Sequence, residues 1–180
     1  MSSILISIGN KFNYQDPRFL CQAKNDLFRL AGVQIINRAI ISAGFQCLYP
    51  KNILLQDRVC LGHNNSIWAF HRVIIGRYTQ TARDLLIISG SHDVGSYEPL
   101  KNQEVIVGQG CWIGARVLIL GGVRIGKGCV IGAASLVNQS IPDWSIVAGS
   151  PARIIGKREP ATVIWNPFGP YSPGDLADIE

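Results

Sequence analysis

From Glu104 to Arg158 the chain repeats every six residues. Val107, Ile113, Ile119, Ile125, Ile131 and Val137 hold one phase, and Val105, Cys111, Val117, Val123, Cys129 and Ser135 keep the same step two residues earlier. Gly108, Gly114, Gly126 and Gly132 follow four of the aliphatics. A period of six is neither the 3.6 of a helix nor the alternation of a simple strand. It suits a parallel β-helix, in which each six-residue unit supplies one short strand and one corner and three units close a triangular coil. The aliphatic fills the interior, and the small residue after it lets the backbone turn. Residues eighteen apart should then stack one coil above another, about 4.8 Å apart. The pattern therefore predicts Val107 under Ile125, Ile113 under Ile131, Ile119 under Val137 and Cys111 under Cys129.

The rest of the chain can be read against this all-β expectation. Its 180 residues amount to one domain, 47% hydrophobic and 16% charged. The net charge of +5 suits an anionic ligand, but the basic residues are scattered and form no block of the nucleic-acid-binding kind. Five cysteines, an odd number with no CxxC spacing, read as thiols; Cys111 and Cys129 fall at inward positions and read as small buried hydrophobes. Asn10, Lys11 and Asn13 interrupt the early apolar run, and Asn37 and Arg38 break the most apolar stretch. Neither a secretory signal nor a membrane span of about 20 apolar residues is expected, so a cytoplasmic location is.

Residues 1–16 read as extended. Pro17–Leu30 carries Phe19, Leu20, Ala23, Leu27 and Leu30 at helical spacing, with Gly32 beyond the end, and predicts a short amphipathic helix within a capping segment, 1–32. From Val33 a rougher six-step returns. Ile35, Ile41, Cys47, Ile53 and Val59 share one phase, Leu55, Leu61, Ile67 and Val73 the companion one, and a two-residue slip near Ala69–Phe70 leads to Ile75, Thr81 and Ile87. The solenoid is thus expected over 33–158. Residues 89–104 interrupt it with a polar, Gly- and Pro-bearing segment without repeat, which reads as a protruding loop of the kind that concentrates function. Residues 159–180, rich in Pro and aromatics, read as an extended tail packed along a neighbouring face or a partner subunit.

Four stretches carry a resemblance: GSHD at Gly90–Asp93, CWIGARVLI at Cys111–Ile119, VIGAASLV at Val130–Val137 and IVAGSPARIIGKR at Ile146–Arg158. Together they resemble the hexapeptide-repeat acyltransferases of the left-handed β-helix fold, nearest to the polysaccharide or colanic-acid-type O-acetyltransferases. The left-handed coil is implied by this resemblance alone, since crossovers are otherwise right-handed. The resemblance also implies transfer of acetyl from acetyl-CoA to a hydroxyl of a sugar or glycan. It implies a homotrimer with coenzyme A between adjacent subunits, and no metal.

His92 is the expected general base. Imidazole titrates near neutrality, so it can take a proton from an acceptor hydroxyl and return it to the departing thiolate. Asp93, and less directly Glu98, are candidates to orient the ring or meet the acceptor, although a backbone carbonyl does the orienting in some relatives. By the same resemblance Trp112 would lie near the pantetheine arm. Ala115 and Ala133, eighteen apart, would let that thin chain lie close to one edge of the prism. Asn138, Arg153 and Lys157, with Arg158 beside them, would serve the nucleotide end, where guanidinium and ammonium suit phosphate. Two departures stand out: Asn138–Gln139 replaces a Thr-Lys pair common in relatives, and Ala69–Phe70 is apolar where sugar-specific cousins often keep an acid. His63 and His71 read as side chains on coil faces. The alternatives are an N-acetyltransferase acting on an amino sugar and a γ-type carbonic anhydrase-like protein, which needs three converging imidazoles. The spacing of His63, His71 and His92 lacks the closely paired ligands of the latter.

Overall fold

The computed structural model describes residues 6–7, 18–101, 103–160, 163 and 165–176; of the stretch 1–16 expected to be extended only Ile6 and Ser7 are described, and they are helical, with Ile6 buried in the core, where an apolar side chain gains more than it would on an extended arm. From Arg18 onward the described chain is one α-helix followed by a parallel β-solenoid of about six coils with a triangular cross-section. Face A stacks strands Gln34–Ile35, Ile53–Leu55, Val73–Ile75, Val105–Val107 and Arg124–Ile125. Face B begins at Ala39–Ile41 and ends in an antiparallel hairpin of Ser145–Gly149 with Ala152–Lys157. Face C runs from Gln46–Leu48 to Leu136–Val137.

The stacking expected from the six-residue period is found. Val107 pairs with Ile125, Ile113 with Ile131 and Ile119 with Val137, all in parallel register. Trp112 N–H donates to the Cys129 carbonyl, which brings the two interior cysteines onto adjacent coils. Each interior aliphatic is essentially inaccessible, and full burial of such a side chain is worth about 1.5–3 kcal/mol. None of the five cysteines is in a disulfide, and burial pushes Cys60 up to about 12 and Cys47 up to about 11.

The first coils differ from the expectation in one respect. Their partners are twenty residues apart, not eighteen: Ile35 pairs with Leu55, Cys47 with Ile67 and Ile67 with Ile87. Cys47 is therefore followed in phase by Leu55 rather than Ile53. Two slips occur where one was expected, at a 3-10 turn over Pro50–Asn52 and again at Ala69–Arg72. Both lie on the C–A edge. Asn52 Nδ2 ties them together by donating to the carbonyls of Ala69 at 2.8 Å and Phe70 at 3.4 Å. Phase alone cannot separate Ile53 from Leu55, because both ends of a three-residue strand point inward. The long insert at 89–104 leaves from this same edge, so Ile75 pairs with Val107 and Ile87 with Ile119 across it.

Helix α1, Arg18–Ala31, covers the open end of the first coil. It stops at Gly32, whose φ of 111° suits glycine, and the Gly32 and Val33 N–H groups satisfy the Arg29 and Phe28 carbonyls. Its inward face is not the one expected. Lys24, Asn25, Phe28 and Ala31 are buried, whereas Ala23 is exposed and Leu30 is 73% exposed. Phe28 sets the rotation by meeting Phe45 edge-on at 5.5 Å.

The tail packs on its own chain, along the A–B edge. Tyr171 is buried and stacks on Tyr78 with centroids 4.3 Å apart, and Arg38 sits over the Phe168 ring at 4.8 Å. Asn166 Nδ2 donates to the Tyr78 carbonyl, Gln80 Nε2 to the Trp165 carbonyl, and Arg158 Nη1 to the carbonyls of Gly110 and Gly128. Burial raises the Tyr171 phenol to about 12.

Candidate active site

His92 lies on the insert that leaves the C–A edge after Leu86–Ile88 and returns at Val105–Val107. Its inner part is a tight, hydrogen-bonded turn. Asp93 N–H donates to the Glu98 carbonyl at 2.8 Å, Tyr97 N–H to the Asp93 carbonyl at 2.9 Å and Leu100 N–H to the Ser91 carbonyl at 2.8 Å, while His92 bridges to Pro99. The Asp93 carboxylate closes it: Oδ1 accepts from the N–H groups of Gly95 and Ser96 and from the Ser96 hydroxyl. Donation from Ser96 N–H, then from Gly95 N–H and the Ser96 hydroxyl, holds this carboxyl below its ordinary range. Asp93 therefore faces its own loop rather than the imidazole.

The ring is held by a backbone group. His92 Nδ1 lies 2.8 Å from the Tyr97 carbonyl oxygen. A carbonyl can only accept, so Nδ1 carries a proton, and in the neutral ring the lone pair is then on Nε2. Tyr97 reaches this position with φ at 58°, a left-handed conformation uncommon for a non-glycine residue. The carbonyl has no signature in the sequence. The turn around it has one, since an Asp two and three residues before Gly95 and Ser96 favours a side-chain-capped turn.

The other candidates fall into separate groups. Trp112 points out of face B, 57% exposed, between Gln80 and Val130. Ala115 and Ala133 lie on the B–C edge, where Ala134 N–H donates to the Ala115 carbonyl at 2.8 Å. A Cβ on Gly114 would stand 2.6 Å from the Ala133 nitrogen, so the coils touch there. Asn138 and Arg153 meet at the far end, lining a cavity of about 260 Å³ with Gln139, Ser140 and Ile154. Lys157 is exposed at the base of the terminal hairpin, opposite Ser145, and does not line that cavity. Within one chain the His92 loop and the two alanines occupy different edges, with face C between them.

His63 lies on the B–C edge and His71 on the C–A edge. Among the described residues no three His, Cys, Asp or Glu side chains gather at metal-binding distance, and no helix is long and apolar enough to cross a membrane.

Residues 104–139 match the family model described as bacterial transferase hexapeptide (six repeats). The putative colanic acid biosynthesis acetyltransferase WcaF of Escherichia coli (strain K12) is 29% identical over 143 residues, 79% of either chain. Two solved structures share the fold. A maltose O-acetyltransferase from Clostridium difficile 630 has a TM-score of 0.76 at 23% identity, over 88% of this chain and 84% of that one. The hexapeptide-repeat acetyltransferase VCA0836 from Vibrio cholerae O1 biovar eltor, complexed with acetyl coenzyme A, has a TM-score of 0.75 at 24% identity, over 88% and 85%. The fold is the left-handed β-helix of these enzymes. The repeat, the coils and the relatives agree: residues 104–139 carry the hexapeptide repeat of bacterial transferases, and the chain as a whole is similar in sequence and fold to acetyltransferases.

Proposed function

We propose that this chain moves an acetyl group from acetyl-CoA to a hydroxyl of a sugar or glycan, with His92 as general base. The observation that carries the reading is the Tyr97 carbonyl on His92 Nδ1, which leaves Nε2 free to accept a proton. Nε2 takes the hydroxyl proton as the oxygen attacks the thioester carbon. The tetrahedral oxyanion then collapses, the C–S bond breaks, and the imidazolium returns its proton to the thiolate. Asp93 serves this step indirectly, by holding the turn that aims the ring.

The donor would lie along the B–C edge, with its pantetheine arm close to Ala115 and Ala133 and near Trp112. Its phosphates would reach Asn138 and Arg153 at the terminal cavity, with Lys157 contributing charge from the hairpin base. Because the His92 loop and the alanine edge stand apart in one chain, a complete site needs a second copy whose loop crosses to its neighbour's edge. A homotrimer closes such a head-to-tail arrangement. Support comes from face C, whose outward ladder of Leu86, Leu118 and Leu136 is apolar along three successive coils. The names of the relatives, a colanic acid biosynthesis enzyme and a maltose O-acetyltransferase, support a carbohydrate acceptor. Five cysteines outside any disulfide and an acetyl-CoA donor fit the cytoplasm.

The test follows thiol release from acetyl-CoA across a panel of sugars and oligosaccharides bearing hydroxyl or amino acceptors. General-base catalysis is worth about 10²–10⁴, so His92→Ala is expected to lose at least a hundredfold. Retention of most of the activity in that variant overturns the assignment, and exclusive transfer to amino sugars overturns the hydroxyl acceptor.

A further inference from the structure

The two short inserts on the C–A edge do more than break the repeat. They turn Tyr49 and Phe70 outward, 57% and 47% exposed, with ring centroids 5.4 Å apart and planes inclined by 53°. Asn52 clamps one insert to the next. Phe70 packs on the backbone at the root of the catalytic loop: a Cβ on Gly90 would stand 2.9 Å from the Phe70 Cβ and Cδ2. Gly90 is two residues before His92. The rings therefore form a column that descends, coil by coil, from the loop carrying the proposed base. Lys51 and Arg72, each two residues after one of the aromatics in its own insert, are exposed, and neither has an ion pair among the described residues. No carboxylate occurs in Tyr49–Asn52 or Ala69–Arg72.

We propose that this column is the binding track of an extended, acidic glycan, whose rings lie over Phe70 and Tyr49 and whose carboxylates meet Arg72 and Lys51. The C–H face of a pyranose carries weakly positive hydrogens that suit the negative face of an aromatic ring. Guanidinium and ammonium in the same inserts as those rings suit carboxylates along the same chain. A short neutral sugar could use the rings but would leave both cations unmatched. A lipid surface would also satisfy aromatics and cations, but the loop projects from this edge with Ser91–Lys101 all exposed and would hold a flat bilayer away from the rings. The proposal relies on the acetyl-transfer reading only for the glycan's role as acceptor; its binding requires no catalysis.

Binding is therefore measured directly. Calorimetric titration of the full chain with hexagalacturonate as the acidic probe and maltohexaose as the neutral one, at about 50 mM and about 500 mM salt, separates the terms. Expected is binding of hexagalacturonate that weakens at high salt and is tighter than that of maltohexaose. A loss of about tenfold is expected in Tyr49→Ala/Phe70→Ala and in Lys51→Gln/Arg72→Gln, with acetyl-CoA affinity and thermal midpoint unchanged. Equal binding by wild type and both double variants, or no binding of the acidic probe to wild type, overturns the proposal. So does ring-dependent co-sedimentation with phosphatidylglycerol vesicles, or a fall in oligomer mass on removing the rings, which would assign the column to a membrane or to a second copy. Acidic-glycan binding by a protein that never consumes acetyl-CoA would sink the transferase reading and leave the track standing; activity on acceptors indifferent to the four residues would do the reverse.

Discussion

The carbonyl of Tyr97 gives the sharpest test of how this site works, because a backbone group can be displaced only through its own torsions. Tyr97 sits at φ 58°. For an L-residue this region costs about 1–2 kcal/mol, glycine is free of the penalty, and β-branched residues tolerate it worst. Tyr97→Gly and Tyr97→Val both remove the aromatic ring, so a difference between them reports the backbone and not a lost side-chain contact. In the valine variant the turn is expected to relax, pulling the carbonyl from its 2.8 Å contact with His92 Nδ1. The penalty of about 1–2 kcal/mol corresponds to about a five- to thirtyfold fall in the competent population. We expect kcat/KM for the acceptor to fall by that factor in Tyr97→Val relative to Tyr97→Gly, with the KM for acetyl-CoA unchanged in both. Thiol release under saturating donor measures the first, and amide exchange at Asp93 and Leu100, whose N–H groups are bonded inside the turn, reports whether it has opened. Equal activity in the two variants, with the turn open only in valine, would refute the idea that the carbonyl governs the base.

Three further outcomes follow from particular contacts. Gly128→Ala should destabilise the fold by about 1–3 kcal/mol in urea unfolding, because φ is +67° and the new methyl would overlap the Trp144 ring. Tyr171 has a folded-state value raised to about 12 from an ordinary 10, so its contribution is complete below pH 10 and is lost as pH rises from 10 to 12. Phenolate absorbance should show a late component from Tyr171, and Tyr171→Phe should remove it. Arg153→Ala should raise the KM for acetyl-CoA about tenfold or more while kcat holds, as expected from losing one charge-assisted hydrogen bond of about 1.5–3 kcal/mol.

The regular half of the solenoid was readable because every interior position of an eighteen-residue coil asks for a similar side chain, and Val107, Ile113 and Ile119 answer in turn. The first half was harder, since two extra residues at each C–A corner shift the phase, and Ile53 and Leu55 are both interior. Helix rotation was misread because Phe28, meeting Phe45 from another coil, outweighs the local spacing that favoured Leu30. At the candidate site, the protruding loop that carries His92 was legible from its break in the repeat. The imidazole's partner was not, because every residue has a carbonyl and only the fold decides which one points at the ring. The packing of Tyr171 on Tyr78 joins residues far apart in the chain, and nothing local announces it.

A stack of coils in which each touches only its neighbours ordinarily frays from its ends, one rung at a time. Here the returning C-terminal segment leaves the last coil at Trp144, whose carbonyl accepts from Arg158 N–H, and reaches the first coil at Arg38 under Phe168. It acts as a belt around a stack of plates. Peeling away the first or the last rung must also undo the belt, so the ladder should melt in a single step, and cutting the chain just after Arg158 should let its two ends come apart separately.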